Sequence, residues 1–202
     1  MKLIVIPGIL ALWLYVLHLL RRAALNAWWF LAGSLGLFLM LMFWVQPVAM
    51  MPLARLVCTL AGFVGDAAGA YSAYFQYGIL FIRAPQGSMT LQIDMECSGF
   101  IEISAFLSLL AFFNVYSRAE KVWVGILGTV YLIVCNAVRI TVICLSVHFF
   151  GAAAYAVVHT FIGRLLFYAL SVLLYYYVFT KPQILRMKVG IITYEHSSDK
   201  NS

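Results

Sequence analysis

The sequence predicts an all-α integral membrane protein. It would have about five transmembrane helices, an interfacial amphipathic helix and a short extracytoplasmic hairpin. Two observations carry this expectation. Hydrophobic residues make up 65% of the 202 residues and charged residues only 10%, against about half and about a quarter in soluble domains. The apolar residues also gather into runs near the length of about 20 residues that a bilayer core demands. No soluble fold of this length hides so much apolar surface, so lipid is the expected solvent.

The first run covers 3–20 and ends at Arg21 and Arg22. No small-residue cleavage site follows it, so a retained helix is preferred to a signal peptide. The second run, about 27–50, carries Trp28, Trp29 and Trp44 near its ends, as an interfacial aromatic belt would. Residues 53–78 are less apolar and include Arg55, Asp66 and several Gly, Ala and Tyr. They read as an amphipathic helix lying at the interface. Two short apolar segments at 79–82 and 89–93 flank Ala84-Pro85-Gln86-Gly87-Ser88, the pattern of a hairpin outside the bilayer. Three further spans are placed at about 97–115, 122–147 and 155–179. Residues 1–180 thus form one membrane-embedded domain, and 181–202 a polar cytoplasmic tail.

Loop charge gives the orientation. Arg21 and Arg22, Arg118 and Lys121, and Lys181, Arg186 and Lys188 belong inside the cell. Counting spans from either terminus then puts Cys97 at the outer surface, provided that 53–96 does not cross. The same bias accounts for the net charge of +6. The basic residues form no face with interleaved aromatics, so nucleic acid is not an expected partner; the bilayer is.

Cys58, Cys97, Cys135 and Cys144 include no CxxC pair. Neither a metal nor another cofactor is expected, and no disulfide framework. Intramembrane charges cost a few kcal/mol or more and are candidates for function by default. Glu102, Arg139, His159 and Arg164 are of this kind. Counted at about 1.5 Å per residue, Cys97, Arg139 and His159 converge on the outer third of the bilayer. A thiolate is the reactive form of cysteine, and a cation or a helix N-terminus favours it. Cys97 falls at the first turn of a predicted helix, followed by Ser98 and by Gly99, which permits close approach of a substrate backbone. His159 can serve as base and then acid, and Arg139 can face an oxyanion. Asn136 shares a helical face with Arg139 and can orient it. Gly163 lets a neighbouring helix approach the His159 face. Glu96 opposes thiolate formation unless it is paired.

Each residue also has a structural reading. A lone cysteine or histidine is more often a packing group, Arg139 can snorkel, and Glu102 with Arg164 reads as a structural ion pair. The rival function is a non-enzymatic membrane transport or assembly protein with Glu102, Arg139 and Arg164 as its polar pathway. That rival expects Glu102→Gln to be harmful and Cys97→Ser harmless.

Three blocks resemble those of the exosortase/archaeosortase family. They are Glu96-Cys97-Ser98-Gly99-Phe100, Asn136-Ala137-Val138-Arg139 and the run from His159 through Gly163 to Phe167. The family pattern reads approximately Cys-Ser-Gly, Asn-x-x-Arg and His-x-x-x-Gly-x-x-x-Phe, in this order. The compact length is similar to a Gram-positive branch. The resemblance implies a multi-pass enzyme of a prokaryotic plasma membrane with its active site outside. Its substrates would be exported proteins with a C-terminal sorting tail of motif, hydrophobic helix and basic cluster. The tail would be cleaved through a Cys97 thioester and the protein passed to an acceptor such as a glycan or lipid. The resemblance makes His159 the acid/base and Arg139 the stabiliser. The predicted interfacial helix and hairpin would cover the motif.

Overall fold

The computed structural model describes residues 2–84 and 87–185; for residues 2–7 and Glu96 it describes the backbone alone. Helix α1 spans Lys2–Arg22. It packs on α2, which runs without interruption over Asn26–Ala68, and the Trp13 indole N–H donates to the Ala32 carbonyl at 3.0 Å. A widened π turn at Leu41–Val45 lies in α2 just ahead of Pro47. Proline has no N–H to return to the preceding turn, and such a turn absorbs the missing bond without ending the helix.

The interfacial helix expected over 53–78 does not form. Its first part continues α2, and its last part is a strand, β1 (Tyr71–Tyr74). The lower hydropathy of this stretch has another cause. Ala54, Val57, Cys58, Ala61, Gly62 and Gly65 are buried along one face of α2, and such small residues let helices and strands approach closely. A side chain at Gly65 would collide with the Tyr71 ring. Gly69, at φ 65°, ends the helix in the left-handed conformation that glycine tolerates.

The chain is therefore not all-α. In place of a two-stranded hairpin there is a three-stranded antiparallel sheet of order β1-β2-β3, with β2 at Ile79–Ala84 and β3 at Gly87–Gln92. Tyr71 ties it to the helices: its hydroxyl donates to the Ala61 carbonyl at 2.7 Å and lies 3.4 Å from Thr141 Oγ1. Burial pushes the Tyr71 phenol up to about 12, so it keeps its donor proton at neutral pH. Further along, His148 donates from Nδ1 to the Arg83 carbonyl of β2.

After β3 come a single turn, α3 (Met95–Ser98), then α4 (Phe100–Phe112), α5 (Arg118–Phe150) and α6 (Ala154–Leu185). Among the described residues, α2, α5 and α6 are long and apolar enough to cross a membrane. These support three of the five predicted spans outright. The span expected over 97–115 is shortened by a left-handed break at Gly99. The 13-residue α4 reaches only about 20 Å against a core of about 30 Å. By the same rise, α2 with 43 residues and α5 with 33 exceed the core by about 20 Å or more. The C-terminal ends of both pack at the end of the bundle that carries the sheet. Arg21, Arg22, Arg118, Lys121 and Lys181 gather at the opposite end, where Lys121 donates to the Ala111 carbonyl near the close of α4. Trp123, Leu127, Phe161 and Leu165 are largely exposed along α5 and α6, as surfaces facing lipid are. Most of the tail expected over 181–202 lies outside the described residues.

Candidate functional site

Cys97 sits in α3, between the sheet and α4. Asp94 caps this turn: its carboxylate accepts the Cys97 N–H at 2.9 Å. Cys97 is thus not at the start of a long helix, and its own N–H is already taken. The helix-terminus contribution expected for the thiol is correspondingly small, because one turn carries little dipole. Ser98 is fully buried and structural. Its hydroxyl donates to the Met95 carbonyl at 2.9 Å and accepts the Phe100 N–H at 3.3 Å, which joins α3 to α4. Gly99 holds φ at 79°, and a β-carbon there would lie 3.3 Å from Asn136 Nδ2.

That contact belongs to a clamp. Asn136, on α5, has no solvent exposure and donates from Nδ2 to the Cys97 carbonyl at 2.6 Å. Nδ2 is thus engaged with the Cys97 turn, and only the acceptor Oδ1 could orient Arg139, a donor-only side chain. That Oδ1 has no hydrogen-bond partner among the described residues.

His159 reaches the same turn from α6. Its Nε2 lies 3.2 Å from Cys97 Sγ, so a proton can be shared in either direction. Cys97 is buried, with 2% exposure, and His159 is half-buried. The histidine stands in a π turn at Val158–Ile162. One added residue rotates what precedes it by roughly 100° relative to a regular helix, and such turns recur at functional sites. Tyr155 stacks on the imidazole, with ring centroids 5.1 Å apart and planes 23° apart. Cys97, Asp94 and Arg139 all lie within electrostatic reach of Tyr155.

Arg139 is buried on α5, one turn from Asn136. Its guanidinium carbon lies 5.9 Å from the centroid of Phe167, so the last residue of the third sequence block is an aromatic platform for the cation. Gly163, between His159 and Phe167, sits tightly against Ile143 of α5, where a β-carbon would come within 3.1 Å. Glu102 also feels Arg139, and its Oε2 is buried without a hydrogen-bond partner among the described residues. Arg139 is thus one cation within electrostatic reach of Glu102. Arg164 is half-buried on the residue after Gly163.

Sequence reasoning missed Asp94 and Tyr155. Both had signals: an Asp three residues before Cys97 is a helix-cap spacing, and an aromatic four residues before His159 is a same-face spacing.

The fold and the cluster define a class: a multi-helix membrane protein with a buried cysteine paired to a half-buried histidine, and a buried arginine, between its sheet and its helices. The family model for the transmembrane exosortases (Exosortase_EpsH) matches residues 2–176, and the chain belongs to that family. No curated protein and no solved structure matches it.

Proposed function

We propose that this exosortase-family chain is a membrane cysteine transpeptidase or protease acting on the C-terminal sorting tails of exported proteins. The observation that carries the reading is the 3.2 Å approach of Cys97 Sγ to His159 Nε2. His159 takes the thiol proton, and the thiolate attacks the scissile carbonyl carbon. The carbonyl π electrons move to oxygen, and Arg139 stabilises that oxyanion. When the intermediate collapses, the C–N bond breaks and His159 gives its proton to the leaving amine. A thioester remains on Cys97. A hydroxyl or amine of a glycan or lipid acceptor, or water, then attacks it, and the thiol is released.

The basic residues at the far end of the bundle support an arrangement with the sheet and Cys97 outside a plasma membrane. A tail held in the bilayer with its basic end inside presents its cleavage motif at that outer surface. Glu102 beside Arg139 offsets part of the cost of burying a cation in the membrane.

The test is alkylation of the detergent-purified protein by iodoacetamide across pH. Cys97 is expected to react at neutral pH faster than a free thiol, and Cys97→Ala to remove the signal. His159→Ala and Arg139→Ala should each move the profile to higher pH. An inert Cys97, or one indifferent to both partners, would sink the enzyme reading and favour a transport or assembly role for Glu102 and Arg139.

The same assay reads the Tyr155 stack. Tyr155→Phe keeps the ring and should stay within about twofold of the parent. Tyr155→Ala should slow alkylation by up to about tenfold, the equivalent of one aromatic pair. A Phe variant as slow as the Ala variant would transfer the role from the ring to the hydroxyl.

A further inference from the structure

We infer that the open edge of β3 is the track for the substrate's cleavage segment, which joins the sheet as a fourth strand parallel to β3 and delivers its carbonyl to Cys97. This rests on the proposed function, in which Cys97 is the nucleophile.

The order β1-β2-β3 makes β3 an edge. The direction of its backbone groups follows from the ladder. Ile93 N–H donates to the Gly78 carbonyl at 2.9 Å, so that pair is hydrogen-bonded. Bonded and non-bonded pairs alternate in an antiparallel ladder. With Ile79 opposite Gln92, Phe81 opposite Thr90 and Arg83 opposite Ser88, these three pairs are the non-bonded ones. The other side of β2 agrees, because Arg83 N–H donates to Ala70 on the β1 side. The N–H and C=O groups of Ser88, Thr90 and Gln92 therefore point away from β2. Among the described elements, only β2 packs extensively on β3.

Proteins usually protect such an edge with charge, proline or a covering element. Gly87–Gln92 contains no charged residue and no proline. Groups alternating every second residue are matched by another extended backbone, the mode in which peptides augment sheets. The position of the edge selects the peptide. On its inner face, Leu91 and Ile93 belong to the buried cluster that holds Cys97 and Val158, and Tyr155 packs against that cluster. Cys97 follows Gln92 by five residues, at most about 17 Å of chain. A segment that ends at the scissile carbonyl must run toward Cys97, as β3 does, and is therefore parallel to it. The remainder of the tail can then descend into the bilayer beside the bundle.

Main-chain pairing tolerates sequence, so an alanine peptide is a sufficient probe. Acetyl-tetra-alanine chloromethyl ketone would be compared with its single-alanine counterpart, which carries the same warhead. The longer probe should label Cys97 about tenfold faster or more, as two or three net hydrogen bonds allow. N-methylation along the probe should cancel this gain at alternate positions only. Thr90→Pro removes an outward N–H and no ladder bond; it should cancel the gain too, with the iodoacetamide rate unchanged. Should that variant fail to insert, the N-methyl series decides alone. A missing gain, or one indifferent to N-methylation, overturns the inference and leaves the reactive Cys97 standing. So does a Thr90→Cys disulfide between two copies, which would show the edge occupied by a second chain. A parent Cys97 inert to iodoacetamide would instead defeat the proposed function itself.

Discussion

Exchange of His159 for alanine is expected to slow Cys97-dependent cleavage by about 10²–10⁴-fold, the usual contribution of one positioned acid/base. The protein should still insert and fold. His159 is half-buried, and its ring rests on Tyr155 without filling the core around Phe106, Leu132 and Phe167. Its loss removes the proton acceptor 3.2 Å from Sγ and leaves the Asp94 and Asn136 bonds that hold the Cys97 turn. His159→Gln separates geometry from proton transfer, because an amide can hydrogen-bond the thiol but takes up no proton near neutral pH. It should be nearly as slow as alanine. The measurement is release of an exported reporter from its C-terminal tail, with elution in detergent as the control for folding. A glutamine variant within twofold of the parent would mean that His159 only holds Cys97 in place.

The sequence made this pair legible through depth. Counting turns from loop charges put Cys97, Arg139 and His159 at one level, and the structure places His159 against Cys97 and Arg139 within reach of Tyr155. What stayed hidden depended on contacts between distant segments. Arg55, Asp66 and several Gly, Ala and Tyr lower the hydropathy after residue 50, yet the π turn and the packing of small residues carry α2 on to Ala68. The turn around Pro85 announced two strands. Tyr71–Tyr74 gave no comparable signal, since β1 becomes a strand by pairing with β2 and lying on Gly62 and Gly65.

These hidden features share one consequence. The long α2 and α5 carry the sheet at one end of the bundle, and the break at Gly99 lets Cys97 sit in a turn between the sheet and α4. A nucleophile on a regular span would face lipid or a packed neighbour. In a capped turn it can meet a histidine from one helix, an asparagine from another and an extended peptide from the sheet side. The small residues of α2 and the close contact at Gly163 belong to the same architecture, since they draw α5 and α6 near enough to α3 for those side chains to reach.

Asn136→Ala is expected to lower stability by about 1–3 kcal/mol, the range for leaving a buried polar group unsatisfied, and to impair Cys97 more than that figure implies. The Cys97 carbonyl loses its 2.6 Å donor, and the turn that aims Sγ loses its tie to α5. Asn136→Asp should be worse, because it replaces the donor with a carboxylate facing that carbonyl in a site without solvent exposure. Gly99→Ala attacks the same turn from its other side. It forces a β-carbon into the left-handed conformation, at a cost of about 1 kcal/mol or more, and brings it to 3.3 Å from Asn136 Nδ2. The two changes should therefore not add. Once Asn136 is alanine, the new β-carbon at position 99 has room, and only its backbone strain remains. Urea or thermal unfolding of the two single variants and the double variant in detergent gives the coupling. A double variant less destabilised than the sum by more than about 0.5 kcal/mol supports a shared clamp on the Cys97 turn. Strict additivity would mean that Asn136 and Gly99 hold it independently.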